Sequence, residues 1–262
     1  MNRISKAFSS GKAFIPFITG GDPDIGTTEK LLFALCEAGA DMIEIGIPFS
    51  DPIAEGPVIE AADERALKAG CTTDRLFELV ARVRESIQVP LLFMTYFNPV
   101  FVYGISKFTD YCAKCGLDGL IVPDLPFEER GELLEPCLSR GLELISLIAP
   151  TSEDRIASIA RNSSGFLYCV SSLGVTGERS VLGGSARSMV ESVRRISSIP
   201  CAVGFGVSTP EQAHDIAGFA DGVIVGSAIV RIIGEHGRDC VEPVRQYVKS
   251  MKGALRAPGI RG

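Results

Sequence analysis

Residues 42–57 read Met-Ile-Glu-Ile-Gly-Ile-Pro-Phe-Ser-Asp-Pro-Ile-Ala-Glu-Gly-Pro, and the first five of them decide the fold. A short β-branched run closed by glycine and proline signals predicts a strand. Side chains alternate along a strand, so Ile43 and Ile45 share one face while Glu44 points to the other. The isoleucines suit a layer under helices. Glu44 then faces the interior of the sheet, near the end where the chain leaves it.

Outward from this strand the same unit recurs. Eight apolar runs, at 13–18, 42–46, 91–96, 119–122, 142–148, 166–170, 201–205 and 222–225, read as strands. Between them the 3.6-residue period predicts helices over 28–38, 58–68, 74–86, 105–115, 128–140, 153–161, 188–196, 210–217 and 241–251. Strands alternating with helices imply a parallel sheet. Gly39, Gly70 and Gly116 stand where left-handed caps end helices, and Pro57 and Pro210 where helices begin. Asp41, Asp118 and Asp221 precede the second, fourth and eighth strands. No linker divides residues 1–262, so the expected fold is a single-domain (β/α)8 TIM barrel with a short N-terminal extension. An open doubly wound sheet is the alternative.

Composition excludes several classes. Apolar residues make up 46% and charged residues 22% of 262, as in globular proteins. A net charge of −6 without a basic run leaves no footprint for nucleic acid. No apolar stretch approaches the roughly 18–20 residues that cross a bilayer, and residues 1–12 carry no secretory h-region, so a cytoplasmic location is expected. Of the eight cysteines only Cys112 and Cys115 form a CxxC, too little for a structural zinc site; reduced, mostly buried thiols are expected.

In a barrel the chemistry gathers in the loops after the strands. Glu44, buried there, has its pKa raised by desolvation, which suits a group that gives and takes a proton. No strand candidate contains a Lys or Arg to pair with it. Glu55 lies eleven residues on, in a loop stiffened by Pro48, Pro52 and Pro57. It reads as a second acid over the pocket or as a solvated loop residue. Asp51 fits a partner interface or a loop anchor better. Gly177, Gly204, Gly206, Gly226 and Ser227 flank the last strand ends. A short helix at 228–233 would aim its N-terminus at an anion, so this half reads as a phosphate site. The segment 171–185, with four glycines, reads as a lid. All lysines fall in helices or terminal segments, which disfavours Schiff-base chemistry. His214 and His236 sit on or beside late helices and read as surface residues. What remains is carboxylate acid–base chemistry on a phosphorylated small molecule.

The runs GGDPD (20–24), IEIGIPFSDPIAEGPVI (43–59), GLIVPDLP (119–126), GVTGER (174–179), GFGVSTPEQ (204–212) and DGVIVGSAIV (221–230) resemble the tryptophan synthase alpha chain family in order and spacing. The resemblance covers roughly residues 8–251. It implies cleavage of indole-3-glycerol phosphate to indole and glyceraldehyde 3-phosphate, without an organic cofactor or metal in this chain. Glu44 matches the family's catalytic glutamate. Glu55 falls where the family has its catalytic aspartate, so the acid is kept but is one methylene longer. Phe17, Met94, Tyr96, Ile121, Tyr168 and Phe205 match the indole pocket. Gly177, Gly206, Gly226 and Ser227 match the phosphate set, and Thr176 a lid residue contacting the glutamate. The resemblance further implies an αββα complex with a pyridoxal-phosphate (PLP) β subunit, contacted through 48–57, 98–103 and 124–126. Other readings are a different phosphate-binding barrel enzyme, and an impaired subunit serving mainly to activate the β chain. If the longer side chain at Glu55 is a handicap, Glu55→Asp maintains or raises activity.

Overall fold

The computed structural model describes residues 2–53, 55–170, 182–204 and 206–255. Eight parallel strands close into a barrel in sequence order: β1 (Ala13–Thr19), β2 (Ile43–Gly46), β3 (Leu91–Met94), β4 (Gly119–Ile121), β5 (Glu143–Ile148), β6 (Leu167–Val170), β7 (Cys201–Gly204) and β8 (Gly222–Val225). The helices are α1 (Arg3–Ala7), α2 (Ile25–Glu37), α3 (Pro57–Lys68), α4 (Thr73–Arg84), α5 (Phe97–Tyr103) and α6 (Ile105–Cys115), followed by α7 (Gly131–Leu138) and α8 (Glu153–Arg161). Then come α9 (Leu182–Arg194), α10 (Pro210–Ala217), α11 (Ser227–His236) and α12 (Val241–Ala254). The closed barrel, not the open sheet, is the architecture.

The pleat sorts the core into two compartments. Ile43, Ile45, Phe93 and Leu120 point outward into the layer shared with the helices, together with Leu31, Leu35, Leu79 and Val80. Ile15, Met42, Leu92, Ile121, Ile145, Phe166, Ala202 and Ile224 fill the barrel itself. Both sets are buried, so each strand loses apolar surface on two faces.

Cap chemistry fixes where the helices begin and end. Asp24 and Thr72 accept from Thr27 N and Arg75 N at the starts of α2 and α4. Thr209 and Gln212 form a reciprocal capping box ahead of α10. Gly116 adopts φ +89° to end α6, a conformation in which a Cβ is strained.

Four differences from the sequence expectation have physical causes. The third strand stops at Met94 because Tyr96 becomes the N-cap of α5. That seven-residue helix is apolar and aromatic around its circumference, and both carboxylate oxygens of Asp124 accept from Phe97 N at its start. The helix expected over 128–140 is confined to Gly131–Leu138. The helix expected from 188 starts at Leu182 and ends at Arg194.

The N-terminal rim of the barrel is tied by one repeated device. Asp41 accepts from Phe14 N (2.6 Å), Asp118 from Leu91 N (2.9 Å) and Asp221 from Cys201 N (3.0 Å). Each aspartate's own N–H donates back to the carbonyl of that same residue. Each carboxylate also meets a cation: Lys252 on Asp41, Arg84 and Arg3 on Asp118, Arg194 on Asp221. Three strand pairs, β1–β2, β3–β4 and β7–β8, are thereby locked at the rim.

The cysteines at 36, 71, 112, 115, 137, 169, 201 and 240 are free thiols, all buried except the half-buried Cys36. His236 is exposed, whereas His214 is half-buried with its ring Nδ1 3.1 Å from Ala254 O. No helix among the described residues is long and apolar enough to cross a membrane.

Candidate active site

The opposite, C-terminal end of the barrel is built differently. Glu44 sits on the interior face of β2 and is fully buried. Neither carboxylate oxygen has a hydrogen-bond partner among the described residues. Burial therefore holds its pKa well above the usual carboxylate value. The neighbouring strands cannot neutralise it: β1 offers Phe17 at the paired position and β3 offers Leu92. The hydroxyl of Tyr168, on β6, is also pushed upward, first by burial and then by the charge of Glu44 across the barrel.

One alternation above Glu44, at Gly46, a small pocket opens. Its walls are Phe17, Gly46, Ile47, Glu55, Asp63, Met94, Thr95, Tyr96 and Pro123. Gly46 is required here because a Cβ would stand 2.7 Å from the ring of Phe17. Gly226, after β8, packs on the other side of the same ring, with a Cβ position 3.3 Å from it. The two glycines let Phe17 lie flat against the pocket wall. Tyr96 packs against Phe49 with ring centroids 5.6 Å apart.

Glu55 is half-buried rather than solvated and hydrogen-bonds to Asp63 and to Tyr96. Burial raises its pKa, the charge of Glu60 adds to that rise, and the two hydrogen bonds oppose it. Asp63 lies on the buried face of α3 and is 4% exposed. Its pKa is pushed up to about 8, mainly by burial and then by the charge of Glu55, against the pull of the Phe49 N–H. Sequence reading missed Asp63. The signal was present: Ile59, Ala62, Asp63 and Ala66 form the i, i+3, i+4, i+7 stripe of an amphipathic helix. An aspartate on that stripe is either paired or functional.

The structure thus brings Phe17, Met94, Tyr96 and Glu55 into one pocket, with Glu44 directly beneath. Ile121 and Tyr168 line the barrel interior beside them. Gly204 lies under the Tyr168 ring, where a Cβ would meet the hydroxyl at 2.8 Å. Across the barrel mouth, Gly226 is the N-cap residue of α11 and makes no side-chain cap bond. Ser227 opens that helix and is exposed; Gly206, at φ +72°, is exposed as well. Thr176, Gly177 and Phe205, and most of the expected lid, lie outside the described residues. Among the described residues no group of three or more His, Cys, Asp or Glu is arranged to hold a metal ion.

These features define a class: a barrel whose C-terminal mouth holds carboxyl groups with raised pKa values, beside an uncapped helix N-terminus. The chain belongs to the tryptophan synthase alpha chain family, which matches residues 5–256. The tryptophan synthase alpha chain of Citrifermentans bemidjiense is 48% identical over 264 residues, covering 98% of this chain and 99% of that protein. The solved alpha subunit from Legionella pneumophila superposes with a TM-score of 0.89 at 37% identity, covering 97% and 98% of the two chains. A chain from the mutually activating tryptophan synthase a2b2 complex of Pyrococcus furiosus gives 0.85 at 39% identity, covering 92% and 98%.

Proposed function

We propose that the protein cleaves indole-3-glycerol phosphate to indole and glyceraldehyde 3-phosphate as the alpha subunit of a tryptophan synthase. The observation that carries this reading is Glu44: a fully buried carboxyl group with no partner among the described residues, at the reactive end of the barrel. In the retro-aldol step the bond between indole C3 and the glycerol chain breaks. C3 gains a proton, and the hydroxyl on the departing carbon loses one to become an aldehyde. Glu44, with a raised pKa, supplies the first proton and assists removal of the second.

Glu55 accepts from the indole N–H and offsets the positive charge that builds on the ring when C3 is protonated. Its Oε2 is buried without a partner, as that role requires. Phe17, Met94, Tyr96, Ile121 and Tyr168, with Phe205, hold the indole. The phosphate is assigned to the N-terminus of α11, on the N–H groups at Gly226 and Ser227, with Gly206 and, by the family resemblance, Gly177 in the same set; Thr176 keeps the role of a lid residue for Glu44.

The partner is a β subunit, in an α2β2 assembly, that receives the indole. Ile53, Phe101 and Val102 are large apolar side chains left 78%, 62% and 77% exposed, in the segments expected to meet it. Such a patch favours burial against another protein. Asp124, placed by sequence in that region, also anchors α5. The alpha reaction runs on side chains alone and PLP belongs to the β subunit, with both in the cytoplasm. Release of indole from indole-3-glycerol phosphate, with and without β subunit, tests the assignment. Cleavage accelerated by the β subunit is expected. Stimulation of the β reaction without any cleavage would overturn it.

A further inference from the structure

Asp63 sits in the wall of the site. It projects from the buried face of α3 into the same pocket as Glu55, Phe17, Gly46 and Tyr96. Its Oδ2 accepts from Phe49 N at 3.3 Å, and its carboxyl group hydrogen-bonds to Glu55. Two carboxyl groups bonded to each other must hold a proton between them, because two carboxylates are both acceptors. Arg65, two residues along α3, is engaged elsewhere: it donates from Nε and Nη2 to the two oxygens of Asp22, both at 2.8 Å.

We infer that Asp63 is a positioning residue for Glu55: its carboxyl group donates a hydrogen bond to the Glu55 carboxylate and fixes the longer side chain in the pocket wall. This rests on the role given to Glu55 above. The proton is placed on Asp63 because Asp63 is the more deeply buried of the two, at 4% exposed, whereas Glu55 is half-buried and has Tyr96 as a further donor. Tyr96 supplies a second bond to Glu55, leaving Oε2 free for the indole N–H. An aspartate at position 55 is one methylene shorter and retreats from both donors. Asp63 therefore converts the replacement of the family's aspartate by glutamate from a misplacement into a matched pair.

The ionisable groups that interact with this pair are Glu60 on α3, Tyr96 after β3 and the Cys71 thiol. From α11, packed beside α3, Arg231, Glu235 and His236 are exposed. No free cation among the described residues stands against the pair. Loss of the Asp63 proton, at about 8, places a second anion beside Glu55 and removes its donor.

The test is the pH dependence of indole release by the α–β complex for the native chain, Asp63→Asn and Asp63→Ala. The native rate is expected to fall as pH rises through about 8. Asp63→Asn keeps a donor that does not titrate, so its kcat stays within about threefold and the fall disappears from that range. Asp63→Ala is expected to lose about tenfold or more in kcat with little change in KM. A further readout does not depend on activity. The folded state keeps the Asp63 proton at a pH where the unfolded chain loses it, so native stability declines as pH rises toward about 8. The urea midpoint of Asp63→Asn is expected to decline less over pH 5–9. An Asp63→Asn profile superposing on the native one, or full kcat in Asp63→Ala, overturns the inference. Glu55→Gln separates this from failure of the underlying reading. Full cleavage by Glu55→Gln removes the role of Glu55 itself, whereas an inactive Glu55→Gln with native-like Asp63 variants overturns only the pairing.

Discussion

The two ends of the barrel use the same residue types for opposite purposes. At the N-terminal rim Asp41, Asp118 and Asp221 each accept from a backbone N–H and meet a Lys or Arg. At the C-terminal mouth Glu44 has no partner among the described residues, and Glu55 and Asp63 meet each other. A carboxylate with donors and a cation ties strands together. A buried carboxyl group without a cation has its pKa raised, at a cost in stability. The difference lies in partners supplied, since each strand end is equally able to carry an acid.

The comparison is broken most severely at Glu44. Glu44→Gln keeps the shape and removes the proton transfer, so indole release is expected to fall by about 10²–10⁴-fold. The same substitution is expected to weaken the decline of stability with rising pH, because the unfolded chain no longer gains by ionising this side chain. An unchanged decline would show that Glu44 ionises as readily in the fold as in the unfolded chain.

Glu55→Asp comes next. From sequence, shortening this side chain maintains or raises activity if the longer one is a handicap, and a large loss shows a site adapted around Glu. The Asp63 contact favours the second outcome: a shift on the order of 1 Å away from Asp63 and Tyr96 is expected to lower kcat by up to about 10²-fold. Equal or higher activity would show that the pocket still fits the shorter acid.

At the rim the effects move to stability alone. Asp118 is tied to Leu91 N, Arg84 and Arg3, so Asp118→Ala is expected to lower unfolding free energy by about 3 kcal/mol. Chemical denaturation measures this, and kcat at saturating substrate is expected to stay unchanged. Asp221 is more exposed, at 33%, and Arg194 beside it at 46%, so Asp221→Asn is expected to cost only about 1 kcal/mol. A kinetic effect of either variant larger than its effect on stability would blur the division between the two ends.

The sequence made much of this legible, for identifiable reasons. Strand alternation alone placed Glu44 inside the barrel, because the pleat leaves no choice once Ile43 and Ile45 face the helices. Pro57, Pro210 and Gly116 marked helix ends through local backbone chemistry. The rim aspartates were visible as turn residues, but their roles were not. Asp118 and Leu91 are 27 residues apart and meet only when β3 and β4 pair. Helix α5 was invisible because six of its seven residues are apolar or aromatic, and Asn98 alone makes no polar face to reveal a period. Asp63 was legible only as one helical residue among several, since its meaning depends on a loop that folds back onto α3. The end of Glu55 was undetermined for the same reason: proline spacing stiffens a loop without fixing where its carboxylate points.

The central claim is that the unpartnered carboxyl group of Glu44 is the proton-transfer group of the barrel. Single-turnover release of indole from indole-3-glycerol phosphate by Glu44→Gln, in complex with β subunit, tests it most directly. The account predicts no indole on the time scale of native turnover, with binding of a glycerol-phosphate ligand retained. Near-native release of indole by Glu44→Gln would contradict it.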